Sequence, residues 1–297
     1  MTTGPAHGSS SVVLASLVSK ERNVILITAH GEDADEACAT LHGLQTHAVL
    51  FPALEFEVAT ELVAARLSLL EKLNTGVFQG VIVAPITSVM QMTPGIKTIQ
   101  SKVKLLQPKM TCELSELQKW LIDAGYERRK MLDESGQFVS RGGILDIATA
   151  SGEFVRLDFF GNSIDTMHEV DPVSLGSDRV IEEVVLTATT RGSCTATIID
   201  HLSPDWISMV DDVEEVARQA KSYIDRVDDT AEIAHYDDIQ ACLSNNLFGM
   251  VGYCAPPAVG VDVVLPMRSI PQFDTSSSSA LAELHALSQT HQVTLAC

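Results

Sequence analysis

Residues 154–170, FVRLDFFGNSIDTMHEV, constrain the fold of everything around them. From Phe154 to Phe160, the positions Val155, Leu157 and Phe159 alternate with Phe154, Arg156, Asp158 and Phe160. Such period-two alternation is the pattern of a half-buried strand. In the run that follows, Ile164, Thr166, His168 and Val170 alternate with Ser163, Asp165, Met167 and Glu169. Gly161-Asn162 between the runs is a two-residue hairpin connection, the glycine supplying the positive φ of a type II′ turn. The expected product is an antiparallel hairpin that shows water an unusual face of Phe154, Arg156, Asp158 and Phe160.

Upstream, the pattern is different. Residues 23–28 (NVILIT), 47–51 and 80–84 (GVIVA) are short apolar runs of the kind found in buried parallel strands. Between them, Ala34, Ala37, Cys38, Leu41 and Leu44 predict a helix over 32–44. Leu62, Ala65, Arg66, Leu69, Leu70 and Leu73 predict another over 58–73, and residues 87–92 a short one stopped by Pro94-Gly95. This alternation argues a doubly wound parallel sheet.

Composition shifts at 102–108. An amphipathic helix is expected at 115–124, with Leu117, Trp120, Leu121 and Ala124 inward, a capping box from Ser115 to Gln118, and Gly125 as its stop. Strands are expected at 127–132, 138–149, 154–160, 163–170 and 180–186, a compact antiparallel α+β unit inserted into the α/β domain. Beyond it, residues 194–202 read as helix, 206–210 as strand, 213–227 and 236–244 as helices and 255–260 as loop. Strand at 261–265, a polar linker at 274–279, helix at 281–288 and a last strand at 292–297 complete the chain. A strand ending at a terminus with nothing after it suggests a piece of something longer.

The 20 Lys+Arg stand against 39 Asp+Glu, a formal net charge of -19, and such a surface repels a phosphate backbone. With no Lys/Arg run longer than three residues, weak or no DNA binding by this chain alone is expected. The six cysteines form no C-x-x-C, and no Cys/His cluster has zinc spacing, so no metal site is expected and reduced thiols in a cytoplasmic protein are the plain reading. No signal peptide opens the chain, and no apolar stretch approaches the ~18 residues of a membrane span. The histidines lie scattered, outside H-E-x-x-H, and there is no G-x-S-x-G elbow, so no catalytic residues stand out.

Two stretches invite a nucleotide reading. GPAHGSSS precedes a helical pattern at the place of a phosphate-cradling loop. Gly4, Gly8, Ser9, Ser10 and Ser11 would be its residues, but counting from Gly4 places Ser10 where a working loop carries lysine. The alternative is an N-terminal segment running into a helix cap. WISMV then runs into Asp211 and Asp212, where a Walker B carboxylate would hold magnesium; the alternative is a helix N-terminus that favours acids.

RGGILD, then RLDFF, then IDTMHEVDP resembles the small inserted domain shared by the excision-repair protein UvrB and the transcription-repair coupling factor. FPALE, AARLSLLEKL and GVIVAPITSVMQ resemble the first domain of the coupling factor. The resemblance implies a degenerate P-loop/RecA-like parallel-sheet domain in two parts, 1–106 and 190–297, around an inserted UvrA-interaction domain at 107–189. It implies that Arg141, Arg156 and Phe160 bind UvrA. Asp211 and Asp212 become a degenerate Walker B pair, and GPAHGSSS a decayed phosphate loop. No cofactor is implied for this chain, since ATP is bound by the family's motor, and the polymerase-interacting and DNA-translocating domains lie beyond it. Between Pro52 and Arg66 there is no room for the aromatic hairpin with which UvrB-type proteins wedge into DNA. The implied role is a non-catalytic adaptor; a UvrB-type ATP-dependent damage loader and an unrelated nucleotide-binding regulator are the alternatives.

Overall fold

The computed structural model describes residues 2–3, 9–54, 59–171, 177–227, 230–253 and 264–265, together with His285 and Gln289. Among these, a parallel sheet runs in the order Val264–Leu265, Thr2–Thr3, Leu247–Tyr253, Ile207–Asp211, Val24–Thr28, Val81–Pro85, Ala48–Leu50. Val24–Thr28 and Val81–Pro85 are buried along their whole length because both faces of the sheet are covered. Alternation divides each strand between the two sides. Val24, Leu26, Val81 and Val83 meet Ala34, Ala37, Cys38 and Leu41 of the helix Gly31–Gly43. Ile25, Ile27, Ile82 and Ala84 share the other core with Val63, Ala64, Leu67 and Leu70 of the helix Thr60–Asn74. The second helix is rolled relative to its expected face: Val63, Ala64 and Leu67 are buried, Leu62 is partly so and Ala65 is exposed.

Gln91 joins that helix to the rest. Its Oε1 accepts from Leu54 N (2.8 Å) and from the Arg66 guanidinium (2.7 Å). Its Nε2 donates to Leu54 O (2.7 Å) and to the Tyr223 hydroxyl (2.9 Å). Arg66, 2% exposed, also donates to the Pro52 and Gln91 carbonyls and lies 4.1 Å from the Phe51 ring centroid. Burial lowers its pKa, and Arg191 nearby adds to the effect.

The inserted unit enters through Val103–Leu106 and leaves through Val184–Thr187, which pair antiparallel, Leu106 opposite Val184. Between them lie the helix Leu114–Asp123 and a sheet in the order Ser177–Val180, Ser163–Val170, Phe154–Phe160, Ile144–Ala148, Gln137–Arg141, Glu127–Arg128. Its neighbours are antiparallel except the last pair, which is parallel. Phe138, Leu145, Ile147, Val155, Leu157, Ile164 and Met167 form the inner face, in one core with Leu117 and Leu121.

Several expectations change. The run 138–149 folds as two strands, because Gly142 at φ 60° turns the chain between Arg141 and Ile144. The expected strand 127–132 ends at Arg128, and 180–186 breaks into Ser177–Val180 and Val184–Thr187. Residues 194–202 hold only a 3₁₀ turn, Ile198–His201; Thr197 and Asp200 form its capping box. The box expected at Ser115 does not form, and Gln118 instead donates to Ser140 Oγ on the sheet (2.8 Å). The strand Leu247–Tyr253, with glycines inside an apolar run, is an addition. The elements expected at 255–260, 274–279 and 292–297 lie outside the described residues. So does most of 261–265 and of 281–288, from which Val264–Leu265 is strand and His285 helical.

Candidate partner-binding face

The hairpin turns as its residues dictate. Phe160 pairs with Ser163, Gly161 has φ 59°, and Asn162 is absent from the positive-φ residues, as a type II′ turn requires. The return strand, however, does not keep parity. Ile164 pairs with Phe159 but Thr166 with Asp158, so Asp165 is an extra residue bulged out of the ladder. Asp165 is exposed there and ion-pairs with Lys109. Beyond the bulge Met167 is buried opposite Leu157, and Thr166 and His168 stand on the outer face beside Asp158 and Arg156. Ile164, Thr166, His168 and Val170 therefore do not share a face, since one inserted residue inverts all that follow.

On that outer face, register sets Arg141 opposite Ile144 and Ile144 opposite Asp158. The neighbouring row runs Val139, Asp146, Arg156, His168, Val180. Arg141, Arg156 and Phe160 thus share one surface. Arg156 and Phe160 are roughly 13 Å apart along the strand, and Arg141 lies two strands, about 10 Å, across.

Arg156 is not free. Its Nε donates to Asp146 Oδ1 (2.6 Å) and its Nη2 to Asp146 Oδ2 (3.1 Å), a bidentate pair with side chains 22% and 11% exposed. The hydrogen bond to Asp146 holds the guanidinium pKa above its ordinary value. Beside it, Thr166 Oγ1 donates to Asp158 Oδ2 (3.0 Å), so that hydroxyl accepts from His168 Nε2–H (3.2 Å). Arg141 is exposed and donates through Nη2 to the Lys130 carbonyl (3.2 Å). Phe160 is 80% exposed, and Ile144 (38%) and Val180 (60%) add apolar surface. On the face itself two arginines stand against Asp146 and Asp158, and the exposed run Arg128-Arg129-Lys130 borders it beside Arg141; exposed Phe160, Ile144 and Val180 among these charges suit protein recognition.

The nucleotide candidates come out differently. The strand Thr2–Thr3 and the helix Ser9–Val18 flank residues 4–8, so Gly4 and Gly8 lie outside the described residues and Ser9 and Ser10 open the helix. Ser11 is fully buried. Asp211 ends its strand. Asp212, at φ 49°, is the N-cap of the helix Val213–Arg226, and its carboxylate accepts from Glu215 N (3.1 Å). Asp212 thus stands at a helix N-terminus. Among the described residues, no group of three or more His, Cys, Asp or Glu is placed to hold a metal ion, and no helix is long and apolar enough to cross a membrane.

Sequence reasoning missed Asp146. It lies within the apolar run ILDIA, and only the strand pairing reveals that it faces Arg156.

Residues 105–191, the segment that forms the inserted sheet, match the family of the UvrB interaction domain. The molecule is thus a parallel α/β chain with an inserted sheet, and that inserted segment is similar to the UvrB interaction domain. Over about half its length it is similar to transcription-repair-coupling factors. It is 31% identical over 171 residues to that of Bacillus subtilis (strain 168), covering 54% of this chain and 14% of the relative. It is 26% identical over 145 residues to that of Staphylococcus aureus (strain NCTC 8325 / PS 47), covering 49% of this chain and 12% of the relative. The matched stretches are a small part of the length of these relatives.

Proposed function

We propose that this chain is the non-catalytic adaptor module of a transcription-repair coupling factor. It recruits UvrA to stalled RNA polymerase in transcription-coupled nucleotide excision repair, in the cytoplasm. The observation that carries this is the outer face of the inserted sheet: Arg141, Arg156 and Phe160 share one surface within the segment that matches the UvrB interaction domain. Arginine and aromatic side chains are the usual anchors of protein interfaces, because they bury large areas and direct hydrogen bonds. The domain limits proposed are 1–106 and 190–297 for the two parts of a degenerate RecA-like domain, and 107–189 for the insertion. The pairing of Val103–Leu106 with Val184–Thr187, which closes the neck of that insertion, supports them. Contacts with RNA polymerase and DNA, and ATP-driven translocation, belong to other domains of the whole protein.

A UvrB-type ATP-dependent loader is the rival. It is disfavoured by Ser10 in the lysine position and by the use of Asp212 as a helix cap. Calorimetric titration of the chain with purified UvrA, and separately with ATP-magnesium, tests both. Saturable UvrA binding without nucleotide binding is expected. Micromolar affinity for ATP-magnesium, or no heat with UvrA, would overturn the adaptor role.

A further inference from the structure

The proposed UvrA face contains one residue whose geometry assigns it a task although it cannot itself be the contact. Asp146 is 8% exposed, on the strand next to Arg156 and directly opposite it in register. Both of its carboxylate oxygens are spent on the Arg156 guanidinium. An arginine has five N–H donors in a rigid plane. Asp146 takes the Nε–H and one Nη2–H, so the plane is fixed with the other Nη2–H and the Nη1 pair left over. Among the described residues no hydrogen bond uses those three. Val139 and His168 flank the pair in the same row.

Resting on the reading of this face as the UvrA site, we infer that Asp146 is a positioning residue: it orders Arg156 before binding, so that its three remaining N–H groups meet oxygen acceptors of the partner. Two consequences follow from the chemistry. The affinity of Arg156 for the partner depends on a residue the partner does not touch. The contact also acts as a directed hydrogen bond rather than as a bare charge, because Asp146 has already neutralised the guanidinium.

The test is a double-mutant cycle on UvrA affinity, using the full chain and the variants Asp146→Asn, Arg156→Ala, Phe160→Ala and the pairs Asp146→Asn/Arg156→Ala and Asp146→Asn/Phe160→Ala. Melting curves accompany each variant. Asparagine keeps the shape but loses one acceptor and the charge. Asp146→Asn is expected to weaken binding about tenfold, the upper end of the ordering cost of one rotamer-rich side chain. It should add nothing in the Arg156→Ala background and its full effect in the Phe160→Ala background. An equal loss in all three backgrounds would make Asp146 a merely structural residue, and no loss in any would mean that Arg156 needs no positioning; either overturns the inference while the UvrA site stands. Unchanged affinity in Arg156→Ala and Phe160→Ala overturns the site itself, and the inference with it.

Discussion

Arg66→Met removes a buried guanidinium and keeps most of its stem, which isolates the polar network around Gln91. In the native chain that guanidinium satisfies the buried Gln91 carbonyl (3.3 Å), shares Gln91 Oε1 (2.7 Å) and lies over Phe51 at 4.1 Å. Methionine orphans the Gln91 carbonyl, at about 1–3 kcal/mol. It also removes a desolvated cation–π contact of up to about 2 kcal/mol. Relief of the buried charge, whose pKa burial already lowers, offsets part of this. The net expectation is a loss of about 2–3 kcal/mol, a melting-point drop of roughly 5–10 °C for a domain of this size. Arg66→Ala also empties the space of the stem and should cost about 2 kcal/mol more. Urea denaturation followed by circular dichroism gives both numbers. A Met variant as stable as the parent would refute the reasoning: it would mean that desolvating the ion costs as much as the network returns, as happens for some buried charges.

Further outcomes follow from single residues. Asp212→Ala should lose about 1 kcal/mol by removing the cap on Glu215 N, with Asp212→Gly milder because φ is 49° there; thermal melts rank the two. Gly161→Ala meets open space yet sits at φ 59°, so about 1–2 kcal/mol of backbone strain should appear in the same melts. Burial lowers the pKa of His201, which contacts Thr93 Oγ1 (3.2 Å) and Asn74 Oδ1 (3.0 Å). The unfolded chain therefore takes up this proton near pH 6.5 and the folded chain only below it. Stability from this group is complete above pH 6.5 and is lost as pH falls below that value; His201→Gln should flatten that part of the stability–pH curve.

What could be read in the residues depended on whether the relevant partner was local. The parallel core was legible because Val24–Thr28 and Val81–Pro85 are apolar at every position between two helical layers. Helical spacing put Arg66 on a buried face without saying what it bonds. The hairpin turn was legible in Gly161-Asn162. The bulge at Asp165 was not, although the apolar positions shift from Ile164 to Met167, three apart, and that spacing was the available signal. Residues 194–202 carry apolar residues at helical intervals, yet Thr197 caps a single 3₁₀ turn through Asp200, and the preceding segment is held by the Thr93–Ala196 bridge. Of the candidate face, Arg156 and Phe160 were visible as outward residues of one strand. The Asp146 pair was not, because it exists only once the Ile144–Ala148 strand lies against its neighbour.

The most direct measurement on the proposed role is the affinity of UvrA for the chain before and after Phe160→Ala. Phe160 is 80% exposed, so its removal should leave the melting temperature unchanged to within about 0.5 kcal/mol of stability. As an anchor of the interface, the same change should weaken UvrA binding by more than about 1 kcal/mol, roughly fivefold or more. Equal affinity of parent and variant, with both folded, would contradict the placement of the UvrA surface on this face.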